Sequence, residues 1–144
     1  MKEVVEATRR WVGTPYVHQG RRRGAGCDCL GLVLGVWRDL GGTGPAVVPP
    51  YSPDWAETGG GEDLFVAARR FLVPVSSTRF EAGRIILLRM RRRGPAKHLG
   101  IVTESGLRPR FVHSYWGRGV VESSLSAPWR RHVVAQFQFP NEAD

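Results

Sequence analysis

Cys29 is the residue around which a chemistry can be built. It follows a glycine-rich basic loop, 18–26, and stands at the start of an apolar helical pattern over 28–40. A thiol in the first turn of a helix meets unpaired backbone N–H groups and the positive end of the helix dipole, and both favour a thiolate. Asp28, just before it, is suited to cap that helix. A thiol nucleophile also needs a proton acceptor, for which histidine is the natural group. The chain offers His18, His98, His113 and His132. His98 opens the alternating run Lys97-His98-Leu99-Gly100-Ile101-Val102, which puts His98 and Gly100 on one face of a strand. His113 lies in the next such run, Phe111-Val112-His113-Ser114-Tyr115. Adjacent antiparallel strands would set the two histidines side by side. Nucleophile, base and a third group orienting the base then form a triad.

Other uses of these residues are weaker. Cys27 and Cys29 are the two cysteines of the chain, and bridging them would close a ring too short for relaxed disulfide geometry. Cys27, Cys29, His98 and His113 supply four candidate zinc ligands, but structural zinc favours cysteines with two to four residues between them. One intervening residue at a helix entrance splays the thiolates. No metal and no other cofactor is expected. Cys27, His18 and His132 are read as packing or surface residues.

The elements that must position these groups follow from the pattern. Residues 2–11 read as an amphipathic helix, with Val4, Val5, Thr8 and Trp11 near helical spacing and Gly13-Thr14-Pro15 as its stop. The helix over 28–40 carries Gly31 and Gly35 four residues apart, so it is expected to approach a sheet closely. Residues 41–61 read as a long ordered loop anchored by Tyr51 and Trp55, and 62–72 as a third helix. The period then changes. Strands are expected over 84–90, 97–103, 110–115, 120–122 and 132–139, joined by short turns such as 91–96. Helices first and antiparallel strands after is an α+β order. A length of 144 residues suits a single domain, 1–144.

Charge narrows the partners without choosing one. The chain has 21 Lys plus Arg against 13 acids, a formal net charge of +8. That fits a polyanion, whether nucleic acid, an acidic membrane or a bacterial wall. The runs Arg21-Arg22-Arg23 and Arg91-Arg92-Arg93 lie in glycine-bounded loops, with no basic helix or base-stacking motif, so no specific nucleic-acid role is expected. The N-terminal residues lack the apolar segment of a signal peptide, and the longest apolar stretch is far short of the ~20 residues that span a bilayer. Synthesis in the cytoplasm without a signal peptide is expected.

Four motifs in order carry a resemblance. Gly13-Thr14-Pro15-Tyr16, Asp28-Cys29-Leu30-Gly31-Leu32-Val33, His98-Leu99-Gly100-Ile101 and Phe111-Val112-His113 together resemble the NlpC-type cell-wall cysteine peptidases. The likeness covers about residues 5–116. It implies a papain-like α+β fold, with N-terminal helices packed on an antiparallel sheet. It implies Cys29 as nucleophile, His98 as general base and His113 as the residue orienting it. Tyr16 and Asp28 resemble a pocket that recognises the free amine of a stem peptide. The implied substrate is peptidoglycan, cleaved at the γ-D-glutamyl–diaminopimelate bond. Leu30 departs from the pattern, where serine is frequent; the resemblance then still implies catalysis but no detailed subsite preference. Cys27, the Trp37-Arg38 helix end and the loop through Pro49-Pro50-Tyr51 resemble a phage and gene-transfer-agent branch. That branch implies work on the tail of a phage-like particle, beside tail-tip or hub proteins, at the cell wall or periplasm. The alternative is a catalytically inactive tail-tip protein that keeps the fold.

Overall fold

The computed structural model describes residues 2–45 and 62–140. Helix α1 spans Lys2–Arg9 and buries Val4, Ala7 and Thr8. A two-residue ladder follows, β1 (Arg21–Arg22) against β2 (Gly26–Cys27), where the sequence suggested only a loop. Helix α2, Cys29–Asp39, begins immediately after it. Helix α3 covers Asp63–Phe71. Strands β3 (Val73–Val75), β4 (Ile85–Arg89), β5 (Ala96–Glu104), β6 (Arg110–Tyr115) and β7 (Gly119–Ser124) come next. A four-residue helix α4 (Ala127–Arg130) precedes β8 (Val133–Gln138). The strands β3 to β8 of the described residues form one antiparallel sheet in the order β3-β8-β4-β5-β6-β7. The architecture is α+β, as the motif order implied. Neither β3 nor α4 was anticipated, and the 41–61 loop with Tyr51 and Trp55 lies outside the described residues beyond position 45.

Alternation along the strands divides the buried side chains between two faces. Ile85, Leu87, Leu99, Ile101 and Val112 join Leu32, Val33 and Val36 of α2 in the larger cluster. Ile86, Leu88, Val102 and Phe111 form the smaller one, closed by Leu125 and Trp129. Helix α2 packs on the sheet as expected, but its two glycines face other partners. A Cβ on Gly31 would run into the carbonyl of Gly20, and a Cβ on Gly35 into the indole of Trp11. The two glycines therefore admit the basic loop and the end of the first helical segment, not the sheet. Trp11 is fixed there by its Nε1–H, which donates to Asp39 Oδ2 at 2.9 Å. The β6–β7 turn is seated on the chain entering the site. Val120 N–H donates to Thr14 O at 2.8 Å, and Gly13 N–H to Val120 O at 3.0 Å. Gly119, at φ 77°, tolerates this approach because a Cβ there would lie 2.6 Å from the Thr14 oxygen.

Gly31→Ala tests the close contact directly. Its obstacle is backbone, which cannot swing aside, so a loss of ~1–3 kcal/mol in urea unfolding is expected. An unchanged midpoint would show that loop and helix separate freely.

Candidate active site

Asp28 fixes where α2 begins. Its Oδ1 accepts from Gly31 N–H at 2.8 Å, the N-cap bond expected from its position. Its Oδ2 accepts from Gln19 N–H at 2.8 Å and lies 3.9 Å from His18 Nδ1. Asp28 is 3% exposed, so the carboxylate is a buried anchor with a backbone amide on each oxygen. Cys29 is the first residue of the helix it caps.

The Cys29 thiol lies against the strand segment that carries His98. Its Sγ is 3.8 Å from the Lys97 carbonyl, toward which it donates, and the Leu99 amide also acts on it. No hydrogen bond joins Cys29 to the His98 ring among the described residues. The histidines do meet. His98 Nε2 and His113 Nδ1 are 2.8 Å apart, and His113 Nε2 is 3.1 Å from Ser123 Oγ. In the tautomers that let His98 accept a proton at Nδ1, His98 Nε2–H donates to His113 and His113 Nε2–H donates to Ser123. Both histidines lie beyond Ile101–Val112, the last pair of the β5–β6 ladder at that end.

The surroundings hold these rings in place. Trp129 stacks on His98 with ring centroids 6.1 Å apart and a 29° interplanar angle, and meets His113 edge-on at 5.2 Å. Phe111 stacks on His113 at 4.2 Å. Tyr115 closes the group, 6.1 Å from His98 and 5.6 Å from His113. Ser123 and Trp129 are the members that sequence reasoning missed. Ser123 had a signal, since extending the short strand at 120–122 by one residue reaches it. Trp129 had none beyond being an aromatic residue.

Burial dominates the electrostatics. It pushes the Cys29 thiol up to about 12, helped by the nearby Asp28 charge. It pushes His98 down to about 3, assisted by His113 and Lys97, and His113 down to about 4. Burial thus favours the neutral thiol and the neutral imidazoles. This corrects the expectation of a thiolate favoured by the helix start, because desolvation outweighs the dipole. Tyr16 lies close enough to Asp28 and Cys29 that, after burial, their charges help raise its phenol to about 12. The phenol-bearing residue is half-buried and is tied in by a parallel bridge to Cys27. Cys27 is fully buried, and its carbonyl accepts from Ser114 Oγ at 2.7 Å. Both cysteines are free thiols, and no cluster of three or more His, Cys, Asp or Glu fit to hold a metal occurs among the described residues. Leu30 and Leu99, each one residue past a member of the site, line an apolar cavity of ≈ 460 Å³ with Val33, Trp37 and Leu64.

No protein-family model matches the chain, and no curated protein matches it in sequence. Solved structures do match its fold. A Bacillus cereus NlpC/P60 family protein superposes with a TM-score of 0.64 at 18% identity, over 96% of this chain and 39% of that one. A Staphylococcus aureus protein described as similar to a lipoprotein of the NLP/P60 family gives 0.62 at 20%, over 95% and 40%. Ly7917, in a crystal with the hydrolyzing product of MDP, gives 0.60 at 20%, over 96% and 62%. The chain thus spans from about two fifths to three fifths of the length of these structures. At such identities the likeness is one of fold, and the fold is that of NlpC/P60 proteins.

The depressed histidines set a pH response. In the folded state both bind a proton more weakly than a free imidazole at ~6.5. Their contribution to stability is complete above that value and is lost as pH falls toward about 3 and about 4. Thermal unfolding followed from about pH 7 down to about pH 4 should show a falling midpoint. The double substitution His98→Asn with His113→Asn should flatten that fall. An unaltered slope would assign the acid loss to carboxylates instead.

Proposed function

We propose that the chain is a cysteine endopeptidase of peptidoglycan stem peptides, one domain over residues 1–144. The observation that carries this reading is the placement of Cys29, at a capped helix start, against the strand that bears the His98–His113–Ser123 relay. Rotation of the thiol from the Lys97 carbonyl toward His98 Nδ1 starts the reaction. His98 takes the thiol proton while sulfur attacks the peptide carbonyl carbon, and His113 holds the ring and shares the positive charge. Amides in the first turn of α2 have no intrahelical acceptor and suit the developing oxyanion. His98 then gives its proton to the leaving amine as the C–N bond breaks, leaving a thioester. Water, deprotonated by His98, attacks that thioester, and sulfur departs to recover the proton.

Tyr16 and Asp28 are assigned to substrate binding. The Asp28 charge felt at Tyr16 favours a cationic amine at this end of the cleft. The bond chosen is γ-D-glutamyl–diaminopimelate. We place the protein on the tail of a phage-like or gene-transfer-agent particle, with tail-tip or hub proteins as partners and the wall as substrate. Within the described residues no helix is long and apolar enough to cross a membrane. One observation favours a second reading, an inactive tail-tip protein with the same fold. The thiol is held neutral and bonded to a backbone carbonyl.

Digestion of purified sacculi separates the two. The wild type should release soluble stem peptides ending at the cleaved bond, and Cys29→Ala should release none. His113→Ala should lower kcat on the order of 10²-fold while the protein still binds sacculi. Binding without release by the wild type would leave the structural reading.

A further inference from the structure

A second site stands apart from the thiol. Arg89, Arg92, Arg131 and His132 line a cavity of ≈ 530 Å³ where β4 ends and β8 begins. Arg89 pairs with Ala96 and Leu88 with His98, so the cavity adjoins the strands that carry the base. Arg131 and His132 come directly after the helix that holds Trp129.

The cavity is shaped by regular constraints. Strand β4 shifts register twice here, between Leu88 and Arg89 against β5 and between Leu87 and Leu88 against β8. Such bulges re-aim side chains. Arg89 and His132 also hold each other through two bonds. Arg89 N–H donates to His132 O at 2.9 Å, and His132 Nδ1–H donates to Arg89 O at 2.8 Å. The imidazole is thereby fixed with Nε2 as its remaining polar atom.

Among the described residues these guanidiniums are unneutralised. Arg9, Arg84 and Arg110 each pair with glutamates, at Glu122, Glu81 and Glu104. The side chains of Arg89, Arg92 and Arg131 have no such ion pair and no hydrogen bond among the described residues. Three like charges around one cavity repel one another, and an anion bound among them relieves that repulsion. A carboxylate offers two oxygens and is satisfied by one guanidinium fork. A phosphate offers more acceptors and suits several forks at once.

We propose that this cavity binds phosphate groups, drawn from a phosphodiester polymer of the wall or from a free phosphomonoester. The wall as source rests on the peptidase reading; the phosphate chemistry does not. The wild-type chain should bind inorganic phosphate and a glycerol-phosphate oligomer saturably by calorimetry at low salt, and acetate much more weakly. The substitutions R92S and R131S together should weaken both phosphate probes ~10-fold or more. Hydrolysis of a soluble stem peptide should be unchanged by this pair, which keeps the outcome separate from failure of the peptidase reading. The pair R22S and R23S removes the same charge from the other arginine run and should leave phosphate binding intact. Tighter binding of the oligomer than of inorganic phosphate assigns the polymer as source, and the reverse assigns the monoester. Equal weakening by both pairs, equal binding of acetate, or no saturation overturns the site. A DNA duplex bound more tightly than either phosphate probe, and lost with R92S and R131S, overturns the assignment in favour of nucleic acid.

Discussion

The buried carboxylate of Asp28 is the constraint on which the site depends. One oxygen takes the Gly31 amide and so sets the first residue of α2; the other takes the Gln19 amide and draws the basic loop onto the helix. A helix cap of this kind contributes ~0.5–2 kcal/mol. Its larger consequence is positional. Moving the cap by one residue would rotate Cys29 about 100° around the helix axis and carry its sulfur away from β5. The same anion also acts at a distance, helping to raise both the Cys29 thiol and the Tyr16 phenol.

A second layer supports the histidines from the opposite edge. Ser123 is held by the β6–β7 ladder, and its neighbour Glu122 ties that strand to the rest of the fold. Glu122 Oε2 accepts from Thr103 Oγ1 at 2.6 Å and from Arg9 Nη2 at 2.9 Å, joining β7 to β5 and α1. Burial acts to raise this carboxyl, and the Thr103 hydroxyl and Arg9 outweigh it, leaving it below the usual value. A carboxylate anchors Cys29 at one end of the site, and another anchors the strand behind His113.

The sequence made local chemistry legible and left tertiary effects hidden. The cap at Asp28, the start of α2 and the alternation that places His98 and His113 are set by neighbours within a few residues, and the structure has them. The β1–β2 ladder was invisible because two paired residues carry no periodic signal; it forms around the contact of Gly20 with Gly31. The glycine pair was recognised as a close approach, but the partner was Trp11 and the loop, since spacing along one helix does not name what faces it. The thiol was misjudged for the same reason. The helix dipole can be inferred from position, whereas the apolar surround that raises the thiol comes from strands some 70 residues away, as the 68-residue separation to Lys97 shows.

The arginines divide by what surrounds them, not by where they run in the sequence. Arg21 donates to the Pro45 carbonyl at 3.1 Å and ties the basic loop to the segment that follows α2. Arg9, Arg84 and Arg110 are bound into carboxylate pairs with Glu122, Glu81 and Glu104. Surface pairs of this sort add at most ~1 kcal/mol each, so their role is to fix geometry more than to stabilise. Among the described residues, Arg89, Arg92 and Arg131 do neither. They come from two separate segments and converge only because β4 and β8 are neighbours in the sheet. Net charge of +8 is thus an average over residues with different surroundings: one set neutralised within the fold, another without a carboxylate among the described residues, to which we assign an external anion. Binding through the second set depends on a cavity and its shape, so it should respond to the loss of two particular guanidiniums more than to the same loss of charge elsewhere.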